Sequence, residues 1–410
     1  MLSNRSTGAH TASIGDTRIV EEALKFTLFT ESAVTRGSSY QRRYLDLVEE
    51  AVFAEEMGFD TWGTSEHHFI GEMACTPSPE VIFTAVAMRT NTMRLRHMGR
   101  LASAVHPVLI AEQTMSEDIF SNGRVEVAFV RGNTLLQLDA FGVPLDDSKA
   151  RADEGMELFV RAVSDDVFEH DGKHWGTFPP RQLTPKGVQE PHPPLFKIAQ
   201  TGSSIYEARV LGMGCLTSDM WLGWDEAERL LACYNSVKDD ELKPIVRRTT
   251  KAVGLIANTV RCAKTNDRAM EIGERDMIMM SNIVLKDLYQ HLAQRSDMYR
   301  EFKMYGEILD KIEDPEWLRD CGPSVMVGDP AHLIQMIERL ESLGADEVVM
   351  RIDNGPHNEL METIETIGRY VIPHFKNPKG VLSSGAVGVL PGDAHQKTSI
   401  DDYSEANRVL

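Results

Sequence analysis

The sequence predicts a (β/α)8 barrel with a helical insertion before the last strand, and three observations lead to it. Short apolar segments of strand length alternate with amphipathic segments of helical period along most of the chain. Eight such strands can be counted, which suits a closed parallel barrel better than a doubly wound sheet. One stretch, 260–325, is Met-rich and charged and shows no clear strand, and it is too long for a simple connection.

The elements follow in order. After a polar leader over 1–23, residues 24–30 (LKFTLFT) read as the first strand. Residues 44–57 place Leu45, Val48 and Val52 among acids with helical spacing, Gly58 supplies the stop, and 59–65 read as the second strand. A helix over 78–89, with Pro79 near its start, leads to a strand at 93–101. A helix over 106–120 ends at Asn122-Gly123 before the strand 124–131. Helices at 150–163, 203–211 and 225–237 then alternate with strands at 195–200, 215–220 and 251–257. The helix 330–343 and strand 346–352 complete the eight, and 357–375 close the barrel domain, set at 24–376, with a helix. Residues 377–410, rich in Gly, Ser and Asp, read as a flexible tail.

Composition bounds the function. Among 410 residues, 43 Lys and Arg face 62 Asp and Glu, a net charge of −19 without a basic block, which argues against nucleic acid or an anionic membrane as partner. No segment approaches the roughly 20 apolar residues of a spanning helix, and the leader lacks an apolar signal region, so a cytoplasmic protein is expected. Five cysteines, odd in number and without a Cys-x-x-Cys pair, are expected to be reduced and structural.

Two constellations carry chemistry. Glu66-His67-His68-Phe69 follows the second strand, at the end where α/β barrels keep their catalytic residues. Adjacent side chains on extended backbone point to opposite faces, so His67 and His68 do not form a metal pair, and no metal is expected. Thr201-Gly202-Ser203-Ser204, between a strand and a helix, offers amides and hydroxyls to an anion, or is an ordinary N-cap. Arg131, at the end of the fourth strand, can supply the counter-charge to a phosphate. Gly212-Met213-Gly214 follows a helix and lacks a third glycine, so it is no dinucleotide fingerprint.

Gly58-Phe59-Asp60, Glu66-His67-His68-Phe69, His106-Pro107-Val108, Asn122-Gly123-Arg124, Val130-Arg131-Gly132, Phe141-Gly142-Val143 and Val327-Gly328-Asp329-Pro330 occur in one order. As a set they resemble the luciferase-like flavin-dependent monooxygenases over residues 24–376. The resemblance implies a barrel binding reduced FMN in its mouth, with O2 and a small organic substrate reacting through a C4a-peroxyflavin. It also implies a separate NAD(P)H:flavin reductase and a homodimer. It gives the proton-handling role to His67, as an imidazole can donate or accept a proton near neutral pH. It assigns the phosphate to Arg131, Gln200, Thr201 and Ser204, and surrounds the cofactor with Phe29, Thr30, Glu66, Met98, Gly99 and the carboxylate Glu112. Met98-Gly99 maps to a non-prolyl cis peptide, a bond costing about 3 kcal/mol. His68, Trp221 and Trp224 are the candidate substrate contacts, Trp221 and Trp224 being equally readable as core or rim aromatics. Val130 replaces a reactive family cysteine and Asp219 a pocket tryptophan, which disfavours light emission from a long-chain aldehyde. An F420-dependent oxidoreductase of the same fold and a non-catalytic flavin-binding protein are the alternatives, and a metal-dependent barrel hydrolase is more remote.

Overall fold

The computed structural model describes residues 23–376 except 36 and 133. Residues 1–22 of the leader and the tail over 377–410 lie outside the described residues. Eight parallel strands close a barrel: β1 (Lys25–Thr30), β2 (Thr61–Thr64), β3 (Arg94–Leu101), β4 (Val125–Val130), β5 (Leu195–Ile198), β6 (Gly214–Thr217), β7 (Val253–Ala257) and β8 (Glu347–Arg351). Each pairs with its neighbours in sequence, and β8 closes on β1 with Lys25 opposite Glu347. The eight strands are those that alternation predicts, each shorter than predicted, with β6 starting one residue earlier, at Gly214.

Helices cover the outside. α1 (Tyr40–Glu56) starts four residues before its apolar pattern because Ser39 caps it, accepting from the Arg42 amide. α2 (Pro79–Ala87) and α3 (Pro107–Phe120) follow β2 and β3. A six-residue helix, α4 (Leu135–Ala140), lies in the segment after β4, where sequence periodicity gives no signal. α5 (Ser148–Ser164), α6 (Gly202–Val210) and α7 (Trp224–Asn235) complete the first six units.

Two details correct the sequence reading. The insertion is not wholly helical: Thr259–Cys262 and Val325–Gly328 pair in parallel at its two ends. Each is four residues long and buried throughout, too short for periodicity to register. Between them lie α8 (Asn266–Ser281) and further helical turns, packed on a core of their own that includes Met277, Tyr289, Phe302 and Tyr305. An antiparallel hairpin, Phe168–Asp171 with Thr177–Arg181, also lies between α5 and β5.

The barrel interior has two kinds of layer. Toward the amino-terminal ends of the strands, Arg96 donates to Glu126 and to Glu347, both at 2.6 Å, and its guanidinium lies 4.0 Å over the Phe196 ring. Above it Phe29, Met98, Ala128, Phe196, Leu216, Ile256 and Val349 form an apolar layer beneath the mouth. Gly63 lets β2 approach β3 closely, since a Cβ there would lie 2.2 Å from the Arg96 carbonyl oxygen.

Candidate active site

His67, His68, Arg131, Gln200, Thr201 and Ser204 all follow the carboxyl ends of barrel strands, on the face where barrel enzymes place their chemistry. Beneath them Phe29 and Met98 belong to the apolar interior layer. Thr30 is fully buried against the Gly63 carbonyl, so it supports β2 and does not line the mouth.

His67 is held from two sides. Gln137, buried on α4, donates from Nε2 to His67 Nδ1 at 3.1 Å. Glu31, just past β1, lies with Oε1 3.6 Å from His67 Nε2, and Arg351 of β8 donates from Nε to Glu31 at 3.2 Å. Burial pushes the Glu31 carboxyl up, but His67 and Arg351 outweigh it and hold the group down at about 2. An ionised Glu31 only accepts, so the neutral imidazole carries its hydrogen on Nε2 and presents Nδ1 to the Gln137 amide. Arg351 also donates to the Asn258 carbonyl at 3.1 Å and lies 3.6 Å from Asp353, whose other oxygen accepts from Arg43 at 3.0 Å.

Glu66 is a buried strut and does not face the mouth. Its carboxylate lies 3.1 Å from Arg100 Nε and 3.1 Å from His68 Nε2, and accepts from the Leu101 amide at 3.3 Å. Burial pushes its carboxyl up, but Arg100 and His68 hold it below the usual range. The His68 ring meets Phe141 edge-on at 4.8 Å, so this histidine is fixed between a carboxylate and an aromatic wall.

The anion loop is built as a helix start. Thr201 caps α6, accepting from the Ser204 amide at 3.4 Å and donating to the Ser204 hydroxyl at 3.1 Å. Gln200 accepts from the Ser218 amide at 3.3 Å, tying this loop to the end of β6. Arg131 is half-buried, and its carbonyl accepts from Ser103, fixing the β4 end to the β3 end.

Beyond Thr30 and Glu66, four further expectations need correction. Among the described residues the cis peptides are Thr184–Pro185 and Glu190–Pro191, so Met98–Gly99 is trans. The backbone irregularity there is a bulge between Met98 and Arg100, with Gly99 at φ +125°. Glu112 is exposed on α3, whose buried face runs through Ile110, Ala111, Thr114 and Met115, and so it points away from the mouth. Trp224 packs outside the barrel, with the Arg339 guanidinium 4.2 Å over its ring. Trp221 is sealed in the core of the insertion at 1% exposure, so neither tryptophan is open to substrate.

Asp219 anchors a buried polar knot beside Trp221. It accepts from Ser324 Oγ at 2.7 Å and from the Gly223 amide at 3.1 Å, while Asn258 donates to Ser218 at 2.7 Å and to Ser324 at 3.3 Å. Burial pushes its carboxyl up to about 7 against those two donors. Elsewhere Asp46, Glu49 and His357 bring ligand atoms within 4.8 Å of one another. Burial lowers the imidazole there, but Glu49 and Glu50 raise it to about 9, so the group is an ion-pair cluster with a cationic histidine.

Sequence reasoning missed Glu31, Gln137 and Arg351. A Thr134 cap position before Leu135-Leu136 was the available signal for α4, and nothing local marks Glu31 or Arg351 as partners.

Comparison with known proteins places these features in context. The family described as luciferase-like monooxygenases matches residues 24–347. The oxygenase component of flavin-dependent trigonelline monooxygenase from Acinetobacter baylyi is 23% identical over 368 residues, covering 87% of this chain and 97% of that protein. The FMN-bound oxygenating constituent of 3,6-diketocamphane monooxygenase from Pseudomonas putida superposes with a TM-score of 0.66 at 19% identity, over 86% of this chain and 98% of that one. The coenzyme F420-dependent tetrahydromethanopterin reductase of Methanopyrus kandleri superposes at 0.62 with 17% identity, over 86% and 100%. No described helix is long and apolar enough to cross a membrane.

Proposed function

For a chain that belongs to the luciferase-like monooxygenase family, we propose a two-component oxygenase that takes reduced FMN from a separate reductase and oxygenates a small organic substrate. The observation that carries it is the pairing, on one barrel face, of a doubly held His67 with an anion site at Arg131, Thr201 and Ser204.

The residues fit the group. Thr201 and Ser204 at a helix start, with the Arg131 guanidinium, suit a phosphate dianion. The apolar layer through Phe29 and Met98 offers a floor to a flat ring. A Cβ on Gly99 would lie 3.1 Å from Val130 and 3.7 Å from Ile198, so the glycine keeps that floor open.

When bound, the reduced flavin supplies two electrons to O2, of which one oxygen atom enters the substrate and the other leaves as water. Arg131, Thr201 and Ser204 would hold the phosphate. His67 keeps its hydrogen on Nε2, between the ring and Glu31, and that N–H is the hydrogen-bond donor it can offer to charge developing on oxygen. Gln137 keeps the ring from turning, and Glu66 does the same for His68.

Anaerobic titration of the full-length protein with reduced FMN and with reduced F420, read by absorbance, tests the reading. Reduced FMN binds, its affinity falls at least tenfold in Arg131→Ala, and O2 then reoxidises it at a rate that His67→Ala changes. Binding of F420 without FMN moves the assignment to hydride transfer. Loss of neither ligand's signal in Arg131→Ala removes the phosphate site.

A further inference from the structure

A cavity of about 370 Å³ opens beside His67, between the start of α1 and the loop that follows β2. Tyr40, Tyr44, His67, Phe69, Ala74 and Cys75 are among the residues that line it. Sequence motifs gave no hint of it, since Tyr40 and Tyr44 lie in a helix whose first turn carries no apolar pattern.

The lining is apolar and aromatic. Tyr40 and Phe69 are 55% and 61% exposed, two large rings left open to solvent at the rim of one hollow. Phe69 also holds φ +63°, a left-handed backbone that a bulky residue adopts only when its surroundings impose it. Its ring stands 6.1 Å from Phe141, which itself braces His68, so the strained residue is part of a fixed aromatic wall.

The Tyr44 hydroxyl and the Cys75 thiol at the cavity are neutral, and the hydroxyl is committed. Tyr44 donates its hydroxyl hydrogen to the Cys75 carbonyl at 2.8 Å, and burial, with Cys75 and Glu80, pushes its phenol up. Burial also pushes the Cys75 thiol up, so it stays protonated and is no nucleophile at neutral pH. Glu80, half-buried and felt by Tyr44, itself accepts from Arg100 at 3.1 Å and from Gln113 at 3.0 Å, and Glu31, beside His67, is paired with Arg351. No carboxylate, lysine or arginine among the described residues lines the hollow.

Taking the proposed oxygenation as its premise, we infer that this cavity seats the substrate, and that the substrate is an uncharged, largely apolar compound of one or two rings. An ionised ligand would lose its hydration here without gaining a counter-charge, which is costly in an apolar setting. Rings stack offset or edge-on against Tyr40, Tyr44 and Phe69, which favours an aromatic ligand over an aliphatic one of the same area. At about 30 Å³ for a water-sized group, the volume admits roughly a dozen non-hydrogen atoms, and His67, as one of the lining residues, is within reach of the seated ring.

The test uses the full-length protein and three probes of similar size, 2-naphthol, 2-naphthoate and decan-1-ol, with affinities read by calorimetry at pH 7. Expected results are binding of 2-naphthol, at least tenfold weaker binding of 2-naphthoate and of decan-1-ol, and loss of at least tenfold in affinity for 2-naphthol in Ala74→Phe. Tyr40→Ala, at an exposed helix start, is expected to weaken 2-naphthol at least threefold and decides the matter if Ala74→Phe does not fold. Equal binding of the carboxylate or of the aliphatic alcohol overturns the inference, as does unchanged 2-naphthol affinity in the folded variants. Each protein is titrated with FMN in parallel: FMN binding without 2-naphthol binding removes the pocket alone, whereas 2-naphthol binding without FMN binding removes the flavin reading and leaves the pocket.

Discussion

Asp219→Asn is expected to change the pH dependence of stability in a direction fixed by burial. The carboxyl is fully buried and its pKa is pushed up from an ordinary 3.8 to about 7. Such a group contributes stability that is fully present below about 3.8 and is lost as pH rises through about 7. At about 1.4 kcal/mol per pH unit, carrying Asp219 ionised at pH 8 costs about 4 kcal/mol. The asparagine does not ionise but cannot accept from both Ser324 and Gly223, which costs about 1 kcal/mol. The variant should therefore be less stable than the parent by about 1 kcal/mol at pH 4 and more stable by about 3 kcal/mol at pH 8. At about 2–4 °C per kcal/mol this is a visible crossing of the two melting curves. Calorimetric melting from pH 4 to 8 reads it directly. Parallel curves for parent and variant would refute the burial argument, because only a carboxyl that titrates between those limits makes the difference depend on pH.

Three further outcomes follow from the geometry. Gln137→Leu removes the donor to His67 Nδ1, and one net hydrogen bond of about 1 kcal/mol is a factor of about five in tautomer ratio; ¹⁵N spectra of the labelled His67 ring should show the Nε2–H form falling, and unchanged ring shifts would separate Gln137 from the imidazole. His357→Gln should cost about 2 kcal/mol at pH 6 and almost nothing at pH 10, because a histidine raised to about 9 stabilises the fold fully below 6.5 and loses that contribution as pH climbs through about 9; urea midpoints at both pH values measure it. Gly99→Ala forces a side chain into φ +125° and against Val130 at 3.1 Å, so it should lower stability by about 1–3 kcal/mol and weaken FMN, and an unperturbed denaturation midpoint would show that the bulge has room.

The alternation of strand and helix, and with it the barrel, was legible in the order of residues alone. Hydrophobic period is a local property, and eight strands of it leave closure as the favoured solution. The position of Glu66-His67-His68-Phe69, Arg131 and Thr201 to Ser204 at strand ends was legible too, because each motif directly abuts its own strand or the helix that follows. What those residues touch emerged only when the chain had folded. Glu31 meets Arg351 across 320 residues, Gln137 meets His67 across 70, and Ser324 meets Asp219 across 105, pairings that exist only once the ring of strands has closed. Closure likewise turned Trp224 outward and Trp221 into the insertion, and set Glu112 on a solvent face, outcomes that residue type cannot specify. Periodicity reports which face of an element is apolar, whereas a side chain's partners depend on where every other element comes to rest.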